Sequence, residues 1–259
     1  MTVDDFEPIV SSLREGVDGF FRDQGKPLEG AAGANTLETN SGFVKRRGDV
    51  LLEILDERSG RPSIAGLDLV DVGCGLGALS LLFASYGASV IGVDPNGKRL
   101  EVGREVAGRH GLSADFVRGP AQRLPLPDAS FDVAILNNSL CYIVPHTERE
   151  KALAEVLRVL RPGGWLIMRN PNRLTPIDQF TRLPLLHFLP PHSAARLARA
   201  LGRKRSLVRL TTPGKARREI RGAGFGDATY IALTRRGLPP PVNRFARYQH
   251  LSARRPESS

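Results

Sequence analysis

Three groups of residues in this chain have types and spacings that chemistry could use. The first is "VDVGCGLGAL", residues 70–79, in which Asp71 precedes Gly73, Gly75 and Gly77, and Ala78 follows. Glycines at such spacing let a ligand approach the backbone and allow positive φ. Gly73, Gly75 and Ala78 match the G-x-G-x-x-G/A turn that cradles a dinucleotide pyrophosphate. Asp71 ahead of three alternate glycines also suits a cofactor that brings no phosphate there, because a carboxylate two residues before the first glycine repels an anion and attracts a cation. The second group is Asp94, at the end of the next apolar run, which can accept hydrogen bonds from ribose hydroxyls in either kind of site. The third follows a later apolar run: "NNSLCYIVPH", residues 137–146, offers Tyr142 and His146 for proton transfer. Histidine is the side chain best suited to act as a base at neutral pH. The Pro-rich stretch 170–205 adds His187, His192 and Asp178 beside the apolar "LPLLHFLPP". Cys141 lacks the preceding proline expected of an RNA cytosine nucleophile and reads as a packing residue.

Short apolar runs alternating with helical patterns must position these groups. Strands are predicted at 67–72, 88–94, 114–119, 131–136 and 164–169, with helices in the gaps from "GALSLLFASYG", "NGKRLEVGREVAGRHG" and "TEREKALAEVLRVLRPGG". This alternation predicts parallel βαβ units in a doubly wound sheet, whose ligands bind at the carboxyl ends of the strands. Two further strands, "DATYIAL" and "RYQHLSA", follow the helix in "TTPGKARREIRGAGF" and are expected to be antiparallel. The fold class is therefore α/β with a mostly parallel seven-stranded sheet. Ahead of it, residues 1–65 read as a helical cap: one helix within 1–29, a break at "GAAGAN", and a second helix in "GFVKRRGDVLLEILDERSG" stopped by Gly60 and Pro62. Residues 66–259 read as the ligand-binding domain, with 170–205 as an insertion that lids the site.

The 259 residues are 41% hydrophobic and 25% charged, the balance of an ordinary globular protein. No apolar run is long enough to span a bilayer, the N-terminal stretch lacks a signal-peptide pattern, and two cysteines make neither a metal nor a disulfide framework, so a cytoplasmic, metal-free protein is expected. The net charge of +10 is uneven: from Arg196 onward 16 Lys and Arg face 3 Asp and Glu. Such asymmetry reads first as solvated helix faces and second as a surface for an anionic partner. The stretch "SAARLARALGRKR" sets Ala194, Leu197, Ala198 and Leu201 on one face and cations on the other, the pattern of a lid helix or of a helix lying on an anionic membrane.

The stretches "LVDVGCGLGALS", "VIGVDPN", "LPLPDASFDVAIL" and "EVLRVLRPGGWLIM", in that order across residues 66–169, resemble the class I S-adenosylmethionine-dependent methyltransferases, particularly the ubiquinone/menaquinone C-methylase group. The resemblance implies a Rossmann-like methyltransferase fold and S-adenosylmethionine as the cofactor. It implies that Asp71, Gly73 and Gly75 border the methionine and ribose, that Asp94 binds the ribose hydroxyls, and that Pro95 lies against the adenine. Asn137 would offer its backbone carbonyl to the methionine amino group, and Arg46 or Arg47 would meet the methionine carboxylate. Pro120 departs from the pattern, standing where relatives carry an acid for the adenine amino group. Ala121 N–H and Gln122 are therefore expected to take the adenine edge.

The reading that follows is methyl transfer to a small-molecule or glycan- or lipid-linked metabolite, with oxygen favoured over carbon. His146, Tyr142 and His187 are its candidate catalytic groups. The alternatives are an RNA methyltransferase using the basic C-terminal region, a quinone-type C-methylase, and a cofactor-binding module without catalysis. Peripheral membrane contact belongs with the lipid-linked acceptor.

Overall fold

The computed structural model describes residues 6–203, 206–231 and 248–257. In chain order it has α1 (Glu7–Asp23), α2 (Gly30–Leu37), α3 (Val44–Ser59), β1 (Asp68–Val72), α4 (Ala78–Ser85), β2 (Ser89–Asp94), α5 (Gly97–His110), β3 (Ala114–Arg118), β4 (Phe131–Asn137), α6 (His146–Val159), β5 (Leu160–Pro171), α7 (Pro191–Ala200), α8 (Pro213–Gly222), β6 (Gly226–Ile231) and β7 (Tyr248–Arg254). The strands form one seven-stranded sheet in the order β3-β2-β1-β4-β5-β7-β6. β1 to β5 pair in parallel, and β7 enters antiparallel between β5 and β6. The doubly wound sheet expected from the sequence is what forms. The ends of the two predicted terminal strands, at 232–233 and 247, lie outside the described residues.

Alternation along the strands divides the core in two. Leu69, Val133 and Ile167 face a cluster with Leu13 of α1, Leu51 of α3, Leu81 of α4 and Leu100 of α5. Val70, Val72, Leu166 and Leu251 face the opposite cluster, with Val156 of α6 and Ile220 of α8. Burial on both faces is why the parallel strands read as apolar runs rather than as alternating ones. The helices α1 and α3 thus pack on the face from which Asp71 and Asn137 project.

Three local differences from the sequence reading have physical causes. "GAAGAN" continues as α2 and a π-helical turn, Glu38–Gly42, into α3. Its Gly33 serves close approach instead of a break, since a Cβ there would lie 2.3 Å from the Leu28 carbonyl carbon. "LRPGG" belongs to β5, because Pro162 cannot continue α6 and Gly163 turns the chain at φ +77. His146, read as a loop residue, is the first residue of α6. No helix among the described residues is long and apolar enough to cross a membrane.

Because β7 runs antiparallel, its first residues lie at the carboxyl ends of the parallel strands: His250 is in register with Arg169 and Tyr248 with Pro171. The Arg58 Nε–H of α3 donates to Ser252 Oγ at 3.1 Å. By alternation Tyr248 and His250 share that face, under α3.

Candidate cofactor and acceptor site

The turn after β1 is tied to β2 by the N–H groups of Gly73 and Cys74, which both donate to the Val93 carbonyl at 2.7 and 3.1 Å. Its glycines have different jobs. Gly73, at φ +78, passes so close to the chain beyond β4 that a Cβ would lie 2.4 Å from the Ser139 Cβ. Gly77 makes room for the Phe116 ring, 2.6 Å from where its Cβ would sit. Gly75, at φ +62, has nothing within 4 Å of its Cβ position and faces open space.

Two carboxylates stand at this turn. Asp94 accepts the Gly75 N–H through Oδ2 at 3.1 Å and the Asn96 N–H through Oδ1 at 2.9 Å. Each oxygen keeps a further lone pair. Asp71 is buried and accepts the Ser80 hydroxyl at 2.8 Å. Burial pushes its carboxyl up to about 6 against the Ser80 hydrogen bond; the Asp94 charge adds to the rise and Arg47 opposes it. Of the two arginines the sequence left open, Arg47 is half-buried and within electrostatic reach of Asp71 and Tyr248, whereas Arg46 is exposed. Pro95 is exposed next to Asp94. Ala121 and Gln122 are half-buried in the turn beyond β3, where the Gly119 N–H donates to the Asp94 carbonyl at 3.2 Å.

A polar row crosses the sheet edge beside the turn. Asn137, Arg169 and His250 are neighbours in register on β4, β5 and β7. Arg169 Nη1 donates to Asn137 Oδ1 at 3.2 Å, and its guanidinium lies over the Tyr248 ring, 3.4 Å from the centre. Asn138 takes φ +57 and its N–H donates to the Arg169 carbonyl at 2.7 Å. Asn138 Oδ1 and Ser139 Oγ are buried without a hydrogen-bond partner among the described residues. Burial, aided by the Arg169 charge, pushes the His250 imidazole down to about 3, so it is uncharged at neutral pH.

Sequence reasoning missed Ser139, Arg169, Tyr248 and His250. The polar "NNS" after "FDVAIL" and the arginine closing "GWLIM" are signals that could have found the first two. Nothing local marks Tyr248 and His250, since only the entry of β7 beside β5 brings them to this edge.

The candidate proton-transfer groups are not together. Tyr142 is exposed at the rim, edge-on to Phe180 with ring centres 6.3 Å apart, and burial of part of the ring raises its phenol. His146 meets Glu150 Oε1 at 3.2 Å and Glu219 Oε1 at 3.7 Å. It belongs with the buried Arg149–Glu219 pair, 2.6 Å apart, which joins α6 to α8; Arg149 also donates to the Leu140 carbonyl at 2.6 Å. His187 is enclosed in the segment after β5, 3.7 Å from Asp178 Oδ2, and neither ring nitrogen has a hydrogen-bond partner among the described residues. His192 is exposed on α7. Cys141 packs with Val208 and Leu210, and burial pushes its thiol up to about 12, which removes it as a nucleophile.

A family profile described as a methyltransferase domain matches residues 70–168, from the middle of β1 to β5. Residues 70–168 therefore carry a methyltransferase domain. Among relatives of this methyltransferase domain, a phthiotriol/phenolphthiotriol dimycocerosates methyltransferase of Mycobacterium ulcerans is 43% identical over 108 residues, 40% of this chain and 37% of that one. A ubiquinone biosynthesis O-methyltransferase of Rhizobium etli is 34% identical over 119 residues, 46% of each chain. The chain thus spans less than half the length of these two curated relatives. The fold is shared with an S-adenosylmethionine-dependent methyltransferase of Mesorhizobium loti, at a TM-score of 0.59 and 23% identity over 80% of this chain and all of that one.

S-adenosylmethionine is the cofactor of this family, and the methyltransferase turn fits it. Gly75 leaves room where any side chain would intrude. A fixed carboxylate at the end of β2 with spare lone pairs suits a diol. The buried oxygens of Asn138 and Ser139 beside Gly73 are acceptors awaiting a donor.

Proposed function

We propose that the chain is an enzyme that transfers the methyl group of S-adenosylmethionine to an oxygen of a small-molecule or lipid-linked acceptor. The observation that carries this reading is the Asp94 carboxylate fixed by the Gly75 N–H across a turn left open at Gly75. In this assignment Asp94 holds the ribose hydroxyls, Pro95, Ala121 and Gln122 border the adenine, and Asp71, Gly73, Asn137 and Arg47 border the methionine. Arg47 replaces Arg46 as the arginine facing the methionine carboxylate, because it is the one within reach of Asp71. When bound, the cofactor supplies an electrophilic methyl group open to in-line displacement, so holding the acceptor in line is the main task left to the protein.

That task falls to the edge beyond β4 and β5. Tyr142 and Tyr248 offer ring faces and hydroxyls, and the uncharged His250 imidazole can accept a hydrogen bond from an acceptor hydroxyl and orient its oxygen. Tyr142 stays an acceptor-facing candidate. His146 and His187 are better explained as structural, the first by its two glutamates and the second by its enclosure. The Rhizobium relative's name supports an oxygen acceptor and the Mycobacterium relative's name a lipid-linked one.

The test is to incubate the protein with methyl-labelled S-adenosylmethionine and fractionated cell extract and to identify the labelled product. A labelled ether or ester in the small-molecule or lipid fraction is expected. Label confined to RNA would replace the acceptor class, and cofactor binding without demethylated cofactor in any fraction would replace the enzyme with a binding module.

A further inference from the structure

The segment between β5 and α8 has a composition that the methyltransferase assignment does not use. Residues 172–212 carry eight of the 37 Lys and Arg but one of the 27 Asp and Glu. Of the net charge of +10, +7 therefore resides in this segment. Its single acid, Asp178, is fully buried, where Oδ1 accepts the N–H groups of Phe180 and Thr181 and the Thr181 hydroxyl. Among the described residues, the segment's surface is cationic without a compensating carboxylate of its own.

The same surface is apolar. Seven of the nine most exposed large hydrophobic side chains among the described residues fall between 172 and 211, led by Leu185 (59% exposed), Leu201 (55%), Phe188 (44%) and Leu197 (43%). The sequence pattern put Ala194, Leu197, Ala198 and Leu201 on one face of α7. The fold covers only part of it: Ala194 and Ala198 bury against Leu186, while Leu197 and Leu201, one turn apart, stay open beside Arg196 and Arg199. Leu185 is held at φ +55, a conformation unfavourable for a leucine, at the end of the loop that Asp178 organises. Leu185 is the most exposed large hydrophobic side chain among the described residues.

The segment is anchored at the mouth of the site. The Gln249 side-chain amide donates to the Pro171 carbonyl at 3.2 Å and to the Thr211 carbonyl at 2.9 Å, clamping both ends to the head of β7. Phe180 meets Tyr142 at the rim. Of the other two exposed hydrophobics, Tyr142 touches Phe180, and Phe43 lies one helical turn before Arg47, which is within electrostatic reach of Tyr248.

We propose that residues 172–203 and 206–211 form a docking surface for an anionic lipid bilayer, which sets the mouth of the cofactor cleft against the membrane. Exposed aliphatic side chains interleaved with arginines match the two halves of such an interface, acyl chains below and anionic headgroups at their level. An RNA would meet the arginines but leave the leucines in water, so lipid is the partner that uses both. The docking is independent of methyl transfer; only its use in reaching a lipid-linked acceptor rests on the proposed function.

The experiment is co-sedimentation of the full chain, without added cofactor, with phosphatidylcholine vesicles and with phosphatidylcholine/phosphatidylglycerol vesicles. Binding to the anionic vesicles only, weakened by salt, is expected. Arg196→Gln with Arg199→Gln should weaken it about 10- to 30-fold. Leu197→Ser with Leu201→Ser, and separately Leu185→Ser with Phe188→Ser, should each weaken it about tenfold. All are exposed positions, so melting temperature and S-adenosylhomocysteine affinity by calorimetry should stay at the parent values. The proposal is overturned if the parent ignores anionic vesicles while binding S-adenosylhomocysteine, if the leucine variants bind vesicles like the parent, or if polyuridylate competes the protein off the vesicles through the arginines alone. It is equally overturned if sedimentation shows the leucine patch buried in a dimer. Loss of methyl transfer in solution with vesicle binding intact would instead count against the proposed activity.

Discussion

Arg169 and Tyr248 join the head of β7 to the carboxyl edge of the parallel strands, guanidinium over ring at 3.4 Å, while the same arginine holds Asn137. Tyr248→Ala should cost about 1–2 kcal/mol, read as a fall of a few degrees in Tm. Tyr248→Phe, which keeps the ring, should lose less. If the alanine variant melts with the parent, the stacking contributes nothing.

The glycines of the turn should separate in mutagenesis. Gly75→Ala should abolish S-adenosylhomocysteine binding at a modest cost in Tm, because its Cβ enters open space and only the strain of φ +62 opposes it. Gly77→Val should lower Tm sharply, because its Cβ meets the Phe116 ring at 2.6 Å. Parent-like affinity of the Gly75 variant by calorimetry would mean that the space at Gly75 holds no cofactor.

Removing the Asp94 carboxylate should weaken cofactor binding by about 1–3 kcal/mol, the scale for leaving buried hydroxyls unpaired. The titration is Asp94→Ala against S-adenosylhomocysteine by calorimetry, with NAD giving no heat for either protein. Parent-like affinity would mean that the ribose lies elsewhere.

Asp71 and His250 should pull stability in opposite directions with pH. The Asp71 carboxyl sits at about 6 against its ordinary 3.8, so the folded state binds more protons across that window and stability falls as pH rises through it. The His250 imidazole sits at about 3 against 6.5, so the unfolded state binds more protons there and stability falls as pH drops below 6.5. Each contribution is on the order of a few kcal/mol. Asp71→Asn should raise Tm at pH 7 and leave it unchanged near pH 4, and His250→Gln should flatten the acid limb. Melting profiles of both variants that run parallel to the parent's would refute these assignments.

The Arg149–Glu219 pair should behave as a buried ion pair. Arg149→Met alone leaves Glu219 charged and buried and should cost about 3–5 kcal/mol, whereas Arg149→Met with Glu219→Leu should recover most of it. Urea unfolding of the single and double variants makes the cycle, and additive losses would show that the charges do not interact.

What the sequence determined by itself was local and repetitive. Apolar runs buried on both faces gave the positions of the parallel strands, and Asp71, the glycines and Asp94 lie within or beside those runs, so the turn was legible from residues 70–94, while its cofactor was legible only from the four family-like stretches across residues 66–169. Their geometry depends on short segments of chain and on the one turn a parallel strand makes into its helix. The tertiary structure alone decided which of two adjacent arginines faces Asp71, because a helix's rotation about its axis is set by what packs beneath it: Gly48 of α3 is pressed on Leu82, so closely that a Cβ would lie 2.1 Å from it. It also decided that His146 joins two glutamates, that Leu197 and Leu201 stay uncovered while Ala194 and Ala198 are buried, and that Tyr248 and His250 reach the site at all. Each of these turns on contacts between residues far apart in the chain, and β7, arriving antiparallel about eighty residues after its neighbour β5, leaves no periodic trace of where it will dock.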